Sequence, residues 1–188
     1  AAGTVGSDAW RSAVATIAQA ILPSTGDDGD SESGSLEPAL RCELLLQVAR
    51  WSRESLNELD DSERYLSAVL ELDATNADAL LQLEEVQRRP GREKELVGTL
   101  RQLASLADRA EIERDSTELR REAKVLAATA LNDNDLAESI LRDMLEGNGS
   151  DEWAIEELCG ICEAKGDHKE LYSLLLQYLE ICVDATRQ

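Results

Sequence analysis

LNELDDSERYLSAVLELDATNADALLQLEEVQRRPGREKELVGTLRQ, residues 56–102, is the stretch from which the rest of this chain is read, because much of it returns 75 residues later. Leu70-Glu71 recurs as Leu145-Glu146, Ala79 as Ala154, Leu83 as Leu158 and Gly91 as Gly166. Lys94-Glu95-Leu96 recurs as Lys169-Glu170-Leu171, and Leu100 as Leu175. At the front edge Leu56-Asn57 falls on Leu131-Asn132, Asp60 on Asp135, Glu63 on Glu138 and Leu66 on Leu141, and the match reaches back to Glu43-Leu44 on Glu118-Leu119. No gap is needed. A fixed period of this kind marks a repeat architecture, in which each unit buries its apolar face only by stacking on its neighbours.

Within each period the apolar residues recur at helical spacing. Outward from the opening stretch, Asp60–Asp73 reads as a helix with Tyr65, Leu66, Val69, Leu70 and Leu72 on one side. Asn76–Arg88 follows, burying Ala79, Leu80, Leu83 and Val86 until Pro90-Gly91 stops it, and Arg92 to about Ala107 carries Leu96, Val97, Leu100, Leu103 and Leu106. Arg109–Leu131 reads as one longer helix, polar at first, then apolar through Leu119, Ala123, Leu126, Ala127 and Ala130. Asn132-Asp133-Asn134 turns it into Asp135–Glu146, with Ala137, Ile140, Leu141, Met144 and Leu145. After the Gly147-Asn148-Gly149 breaker, Ser150 or Asp151 caps Glu152–Ala164. His168 to about Ala185 ends the series with Leu171, Leu174, Leu175, Tyr178, Leu179 and Cys182 apolar.

Before the repeat, Leu36 to about Ser55 is a helix with Leu40, Leu44, Leu45, Val48, Ala49 and Ser52 on its apolar side. Asp8–Leu22 leads it, capped by Ser7 or Asp8, so that residues 7–22 form a leading element with Trp10, Val14, Ile17 and Ile21 on one stripe. Val14, Thr16 and Gln19 match Val97, Thr99 and Gln102 at an offset of 83, so residues 23–35 (PSTGDDGDSESGS) read as a mobile acidic loop that inserts eight extra residues between otherwise regular helices. Asp28-Gly29-Asp30-Ser31-Glu32 faintly suggests a calcium loop but lacks the Gly and closing Glu of EF-hand spacing. The expectation is about nine helices, no strands, and short connections that make successive helices antiparallel neighbours in one repeat domain spanning 1–188.

Composition narrows the function. The apolar fraction is 43%, but only 3% of residues are aromatic and Phe is absent, so Leu, Ala and Val must fill the core. Thirty-nine acidic residues against 19 Lys+Arg give a formal charge of −20, which argues against a nucleic-acid partner. The only basic cluster is Arg88, Arg89, Arg92 and Lys94 at a turn. An acidic surface favours a basic partner or serves solubility alone. No apolar run approaches the ~20 residues of a membrane span. Ala1–Gly6 lacks the basic and apolar regions of a signal peptide, and the absence of an initiator Met reads as a fragment or processed product. Four cysteines without framework spacing fit a reducing, hence cytoplasmic, compartment.

One motif looks like chemistry. Cys159-Gly160-Ile161-Cys162 has redox-pair spacing, but it lies mid-to-late in a helix with no strand before it, away from the N-terminal dipole that lowers a thiol pKa. As a zinc half-site it would need two more ligands from Cys42, Cys182 and His168. Cys159 and Cys162 sit beside Leu158 and Ile161, which favours small core residues. His168, the only histidine, has no Cys, Ser or Asp constellation around it. Glu84-Glu85 and Glu156-Glu157 point about 100° apart on their helices and cannot share one reacting bond. No catalytic residue, cofactor or metal is expected.

About two hairpins fill each period, roughly 34–40 residues apiece, the range of tetratricopeptide-type repeats. The residues are similar to that family. Ala79-x-x-x-Leu83, then Gly91, then Leu96, Leu100 and Leu103 follow its pattern, and Ala154, Leu158, Gly166, Leu171, Leu175 and Tyr178 repeat it. Asp135-x-Ala137 with Leu141 and Met144 looks like the second helix of another unit. Leu70–Asn76 resembles the junction between units, with Ala74 where the family's Pro usually stands. Glu84 and Cys159 occupy the place of its first-helix Gly, and the resemblance covers roughly Leu36 to Ala185.

What the resemblance implies is an all-α, right-handed solenoid, a fragment of a larger bacterial-type repeat protein. Its activity would be non-catalytic: a scaffold binding a peptide or protein segment in a concave groove lined by the first helix of each hairpin. Carried over residue by residue, the groove candidates are Trp51, Asp78, Leu81, Glu85, Arg88, Glu122, Trp153 and Glu156. The tryptophans weigh most, as aromatic anchors commonly carry peptide binding, although both could instead cap the core between hairpins. The alternative is a structural spacer in a longer array, self-associating through its terminal helices.

Overall fold

The computed structural model describes residues 3–22 and 36–185. The acidic insertion at residues 23–35, with its faint calcium-loop pattern, lies outside them. Every regular element among the described residues is helical: α1 (Gly3–Ile21), α2 (Pro38–Trp51) with a π turn (Ser52–Leu56), α3 (Leu59–Leu72), α4 (Ala77–Gln87), α5 (Glu93–Asp108), α6 (Ser116–Thr129), α7 (Asn134–Gly147), α8 (Glu152–Lys165) and α9 (His168–Ala185). They fall into two compact units, Ala1–Arg92 and Glu93–Gln188. Within each, every helix packs on the next in sequence: α1 on α2, α2 on α3 and α3 on α4 in the first, and α5 through α9 in succession in the second. No helix among the described residues is long and apolar enough to cross a membrane.

The repeat is visible in the backbone. Leu59, Ala77 and Glu93 open α3, α4 and α5, and 75 residues on, Asn134, Glu152 and His168 open α7, α8 and α9. Two turn positions take positive φ in both copies: Asn57 (55°) with Asn132 (51°), and Gly91 (87°) with Gly166 (74°). Asn and Gly tolerate that left-handed region best, which is why those letters recur. Gly166 ends α8 with the 6→1 closure of a Schellman cap, Asp167 N–H donating to Cys162 O at 3.0 Å. The closures at Asn57 and Asn132 are one residue wider, Glu58 N–H to Ser52 O (2.8 Å) and Asp133 N–H to Ala127 O (2.9 Å). Helix starts repeat as well. The side chains of Asn76 and Asp151 each accept from the N–H three residues on, Ala79 and Ala154, both at 3.0 Å.

The cores follow the same register. Leu66 and Leu141 are fully buried at one position, Ala79 and Ala154 at another, and Leu83 and Leu158 are buried at a third. In the first unit they join Val14, Ala18, Ile21, Leu45, Val48 and Val69, and in the second Met144, Ile155, Cys162 and Leu174. The repeat also carries an ionic clasp. Glu63 and Asp60 on α3 meet Arg89 at 2.9 and 2.6 Å, and Glu138 and Asp135 on α7 meet Lys165 at 2.5 and 3.1 Å. Lys165 is the last residue of α8 and Arg89 lies two residues past the end of α4, so each clasp ties a hairpin together.

Glu138 hydrogen-bonds to Lys165 and then to Arg142 (2.6 Å), and these cations hold its carboxyl below the ordinary carboxylate range. A carboxylate with a depressed folded-state pKa contributes stability above its unfolded pKa, about 4.3, and loses it as the pH falls through the folded value. Glu138→Gln is therefore expected to lower the urea midpoint at pH 7, with the gap to wild type closing below pH ~4. A gap that stays constant to pH ~3 would show that charge is not what Glu138 supplies.

Several sequence expectations are corrected. α1 begins at Gly3, ahead of Ser7 and Asp8, and the Asp8 carboxylate pairs with Arg11 at 3.1 Å. On its stripe Val14, Ala18 and Ile21 are buried, whereas Trp10 and Ile17 are exposed, because among the described residues the helix packs mainly on α2 and its π turn. α2 starts at Pro38, leaves Leu40 exposed and gives way to the π turn at Ser52. The expected long helix 109–131 is α6 alone: Ala110 turns the chain at φ 57°, Glu111 N–H closes on Leu106 O at 3.0 Å, and Asp115 caps Thr117 and Glu118. On α9, Leu174 is buried, but Leu175 and Leu179 face solvent.

Candidate functional site

Four of the eight sequence candidates share a face. Asp78, Leu81, Glu85 and Arg88 recur every three or four residues along the exposed side of α4. The opposite side of the helix is taken by Ala79, Leu80, Leu83 and Val86 in the core, so this stripe has to face outward. Arg53, from the π turn, pairs with Glu85 and with Glu54 (2.9 Å), and Arg88 pairs with the buried Glu84 at 2.6 Å. Trp51 is placed differently. It is half-buried at the end of α2, packs on the core of its unit and meets the Trp10 ring edge-on, with centroids 5.4 Å apart and planes at 64°.

In the second unit the 75-residue shift puts Trp153 where α4 has Asp78, and Glu156 where it has Leu81. Trp153 is half-buried in the first turn of α8, its ring resting on the α7–α8–α9 core. Two α6 cations face the ring: the Arg121 guanidinium 5.0 Å and the Lys124 ammonium 5.5 Å from its centroid. Arg121 also lies 3.6 Å from the Asp151 carboxylate, and Lys124 pairs with Glu157. Glu156 is exposed and accepts the Tyr178 hydroxyl at 3.1 Å. That hydrogen bond, with the carboxylate's charge, pushes the phenol above its usual pKa. Glu122 is half-buried on α6, beside Arg121 in sequence.

Sequence reasoning missed Arg121, Lys124 and Tyr178. Arg121 and Lys124 stand three apart and so share a helix side, but only the packing of the unit says that Trp153 lies under them. Also missed was a polar cleft of about 510 Å³ between α5, α6 and α7, lined by Arg101, Ser105, Asp108, Arg120, Asp143 and Glu146. Its arginines are neutralised there, Arg101 by Asp143 at 2.6 Å and Arg120 by Asp108.

The residues weighed for chemistry lie apart. Cys159 is half-buried and Cys162 buried on α8, and burial first, then neighbouring carboxylates, pushes both thiols up, away from the reactive thiolate. Cys42 is buried in the other unit, and its thiol is raised by burial too. His168 is exposed at the start of α9. Among the described residues no group of three or more His, Cys, Asp or Glu is placed to hold a metal ion. In the basic cluster, Arg88, Arg89 and Arg92 are each salt-bridged to carboxylates of their own unit.

No protein-family model matches the chain, and no curated protein does. Among solved structures it is similar to two crystal structures of MamA. One is 16% identical with a TM-score of 0.44, over 78% of this chain and 81% of the other. The second is 16% identical with a TM-score of 0.43, over 78% of this chain and 75% of the other.

Proposed function

We propose that the chain is a non-catalytic protein-interaction scaffold of tetratricopeptide-like repeats, a segment of a larger repeat protein that takes up a peptide or protein segment. The observation that carries this reading is Trp153: a half-buried aromatic ring near the start of α8, faced by Arg121 and Lys124, at the repeat position that also opens the exposed α4 stripe. Such a ring is pre-organised, since its orientation is set before a partner arrives, which lowers the entropy cost of binding. Glu156 and Glu85 stand on the same two faces. With a net charge of −20 they favour a partner segment carrying basic residues next to an apolar one.

The test is affinity capture from native lysate, followed by titration of the recovered partner. Trp153→Ala is expected to weaken binding by roughly 30-fold, the scale of an aromatic hot spot. Glu156→Lys, on an exposed side chain, is expected to weaken it less and to flatten the salt dependence. Circular dichroism of both variants should overlay the wild type. Full binding by Trp153→Ala and Glu156→Lys together would remove the α8 face from the reading.

A further inference from the structure

The polar cleft of the second unit stands where the first unit has a closed apolar seam. Its α5 wall carries Arg101 and Ser105, at the places of Ala18 and Leu22 by the 83-residue offset. Its α6 and α7 walls carry Arg120, Asp143 and Gly147, at the places of Leu45, Ala68 and Leu72 by the 75-residue offset. Those five counterparts belong to one core, with Ala18 and Leu45 fully buried and Ala68 nearly so. Of the cleft's other carboxylates, Glu146 keeps its letter, as Glu71, and the counterpart of Asp108 lies outside the described residues. Apolar side chains therefore suffice to close this seam. Ion pairs are not a stronger way of closing it, since an apolar replacement of a buried pair is often neutral or stabilising. The second copy gives up that contact for an open space of about 510 Å³ lined by Arg101, Asp108, Arg120, Asp143 and Glu146.

These charges are unequally engaged. On the α6 side Arg120, 14% exposed, grips Asp108 with both terminal nitrogens, and Ser116 donates to the same carboxylate, so this pair is closed. On the α7 side Arg101 reaches Asp143 through one nitrogen, 2.6 Å from Oδ2, which leaves Oδ1 open. Glu146 is exposed three residues further along, on the same side of α7, and has no ion pair among the described residues. The cations that adjoin Asp143 and Glu146 on their other flank, Arg142 and Lys165, are taken by Glu138, Glu170 and Asp135. Two arginines against three carboxylates leave the cleft one negative charge in excess, and it rests on Glu146.

We propose that this cleft is a binding site for one guanidinium or ammonium group. Two arginines line it, but each already has its carboxylate, so the excess charge selects a cation over an anion. A guanidinium suits it best: its planar fork meets a carboxylate through two parallel hydrogen bonds, and Glu146 offers both oxygens. The α5 wall adds neutral acceptors in Gln102 and in Ser105, whose hydroxyl proton is spent on the Arg101 carbonyl at 3.2 Å. The arginine or lysine of a peptide and a small free cation share this chemistry.

The probe is arginine blocked at both ends, as the N-acetyl methylamide, titrated into the isotope-labelled whole chain at constant ionic strength and followed by amide NMR shifts. Saturable shifts are expected in residues 101–108 and 143–147. Affinity should fall at least about tenfold for blocked citrulline, the neutral isostere, and for Glu146→Gln, which removes an exposed, unpaired charge and should melt like wild type. Gly147→Leu restores the Leu72 of the first copy and should fill the cleft and abolish binding. Nothing stands within 4 Å of its added Cβ, so it should melt no lower than wild type. Trp153→Ala should bind the probe normally, which separates a failure here from a failure of the α8 reading. Methylguanidinium identifies the source: blocked arginine binding several-fold tighter assigns the cleft to a peptide side chain, and equal binding assigns it to a small free cation. Shifts that are absent or do not saturate, that are equal with citrulline, or that persist in both cleft variants would overturn the proposal. So would a preference for acetate over arginine, since that result makes Arg101 and Arg120 an anion site.

Discussion

Leu141→Ala is expected to cost about 3 kcal/mol, within the range for a fully buried leucine that leaves a cavity behind. Leu141 has no exposed surface and lies among Met144, Ala154, Ile155 and Leu158, on helices that meet through one another's side chains. With a core built of leucine, alanine and valine there is no large flexible neighbour to collapse into the space. Only Met144 could partly fill it. Urea unfolding followed by circular dichroism would read the loss as a lower midpoint at unchanged slope. Leu66→Ala, at the matching position of the first unit and equally buried, should cost about the same. A loss below about 1 kcal/mol at either site would mean that the helices close up there and that the packing is looser than it looks.

Ala154→Leu makes the opposite perturbation and is expected to cost about 2 kcal/mol. Helix propensity hardly separates the two residues, so a position occupied by alanine for propensity alone would accept leucine with little change. Ala154 is fully buried near the start of α8, its N–H held by the Asp151 side chain at 3.0 Å, and its counterpart Ala79 is equally buried and held in the same way by Asn76. A cap that fixes the helix start leaves the larger side chain no way to shift along the contact. Thermal melts of Ala154→Leu and Ala79→Leu should therefore fall together. A neutral substitution at both would show that close approach is not what keeps these alanines small.

How much of this was legible in advance follows from where each constraint acts. The 75-residue register, the turns at Asn57, Gly91, Asn132 and Gly166, the cap at Asp151, and the buried faces of α3, α4, α5 and α7 could all be read from letters, because each is a local demand met by a particular residue type. The start of α6 could not. Residues 109–115 are mostly polar and charged, equally at home continuing a helix or leaving it, and the chain leaves it through Ala110, a residue that rarely takes positive φ.

For the candidate sites the division is sharper. That Asp78, Leu81, Glu85 and Arg88 share a side of one helix is a matter of 3.6-residue periodicity, and so is the choice of Trp153 and Glu156 in the later copy. That Trp51 is turned to Trp10, and that Trp153 lies under Arg121 and Lys124, depends on residues distant in sequence. α9 makes the same point. Its apolar residues are spaced for burial on two sides, and periodicity alone assigned Leu175 and Leu179 to the core. The sequence by itself determined which helices form, where they turn and that they repeat, since these depend on each residue's own conformational and hydrophobic preferences. Only the tertiary structure decided which apolar faces find a cover, because burial requires a second surface, and α9 is supplied with one for the side that meets α8.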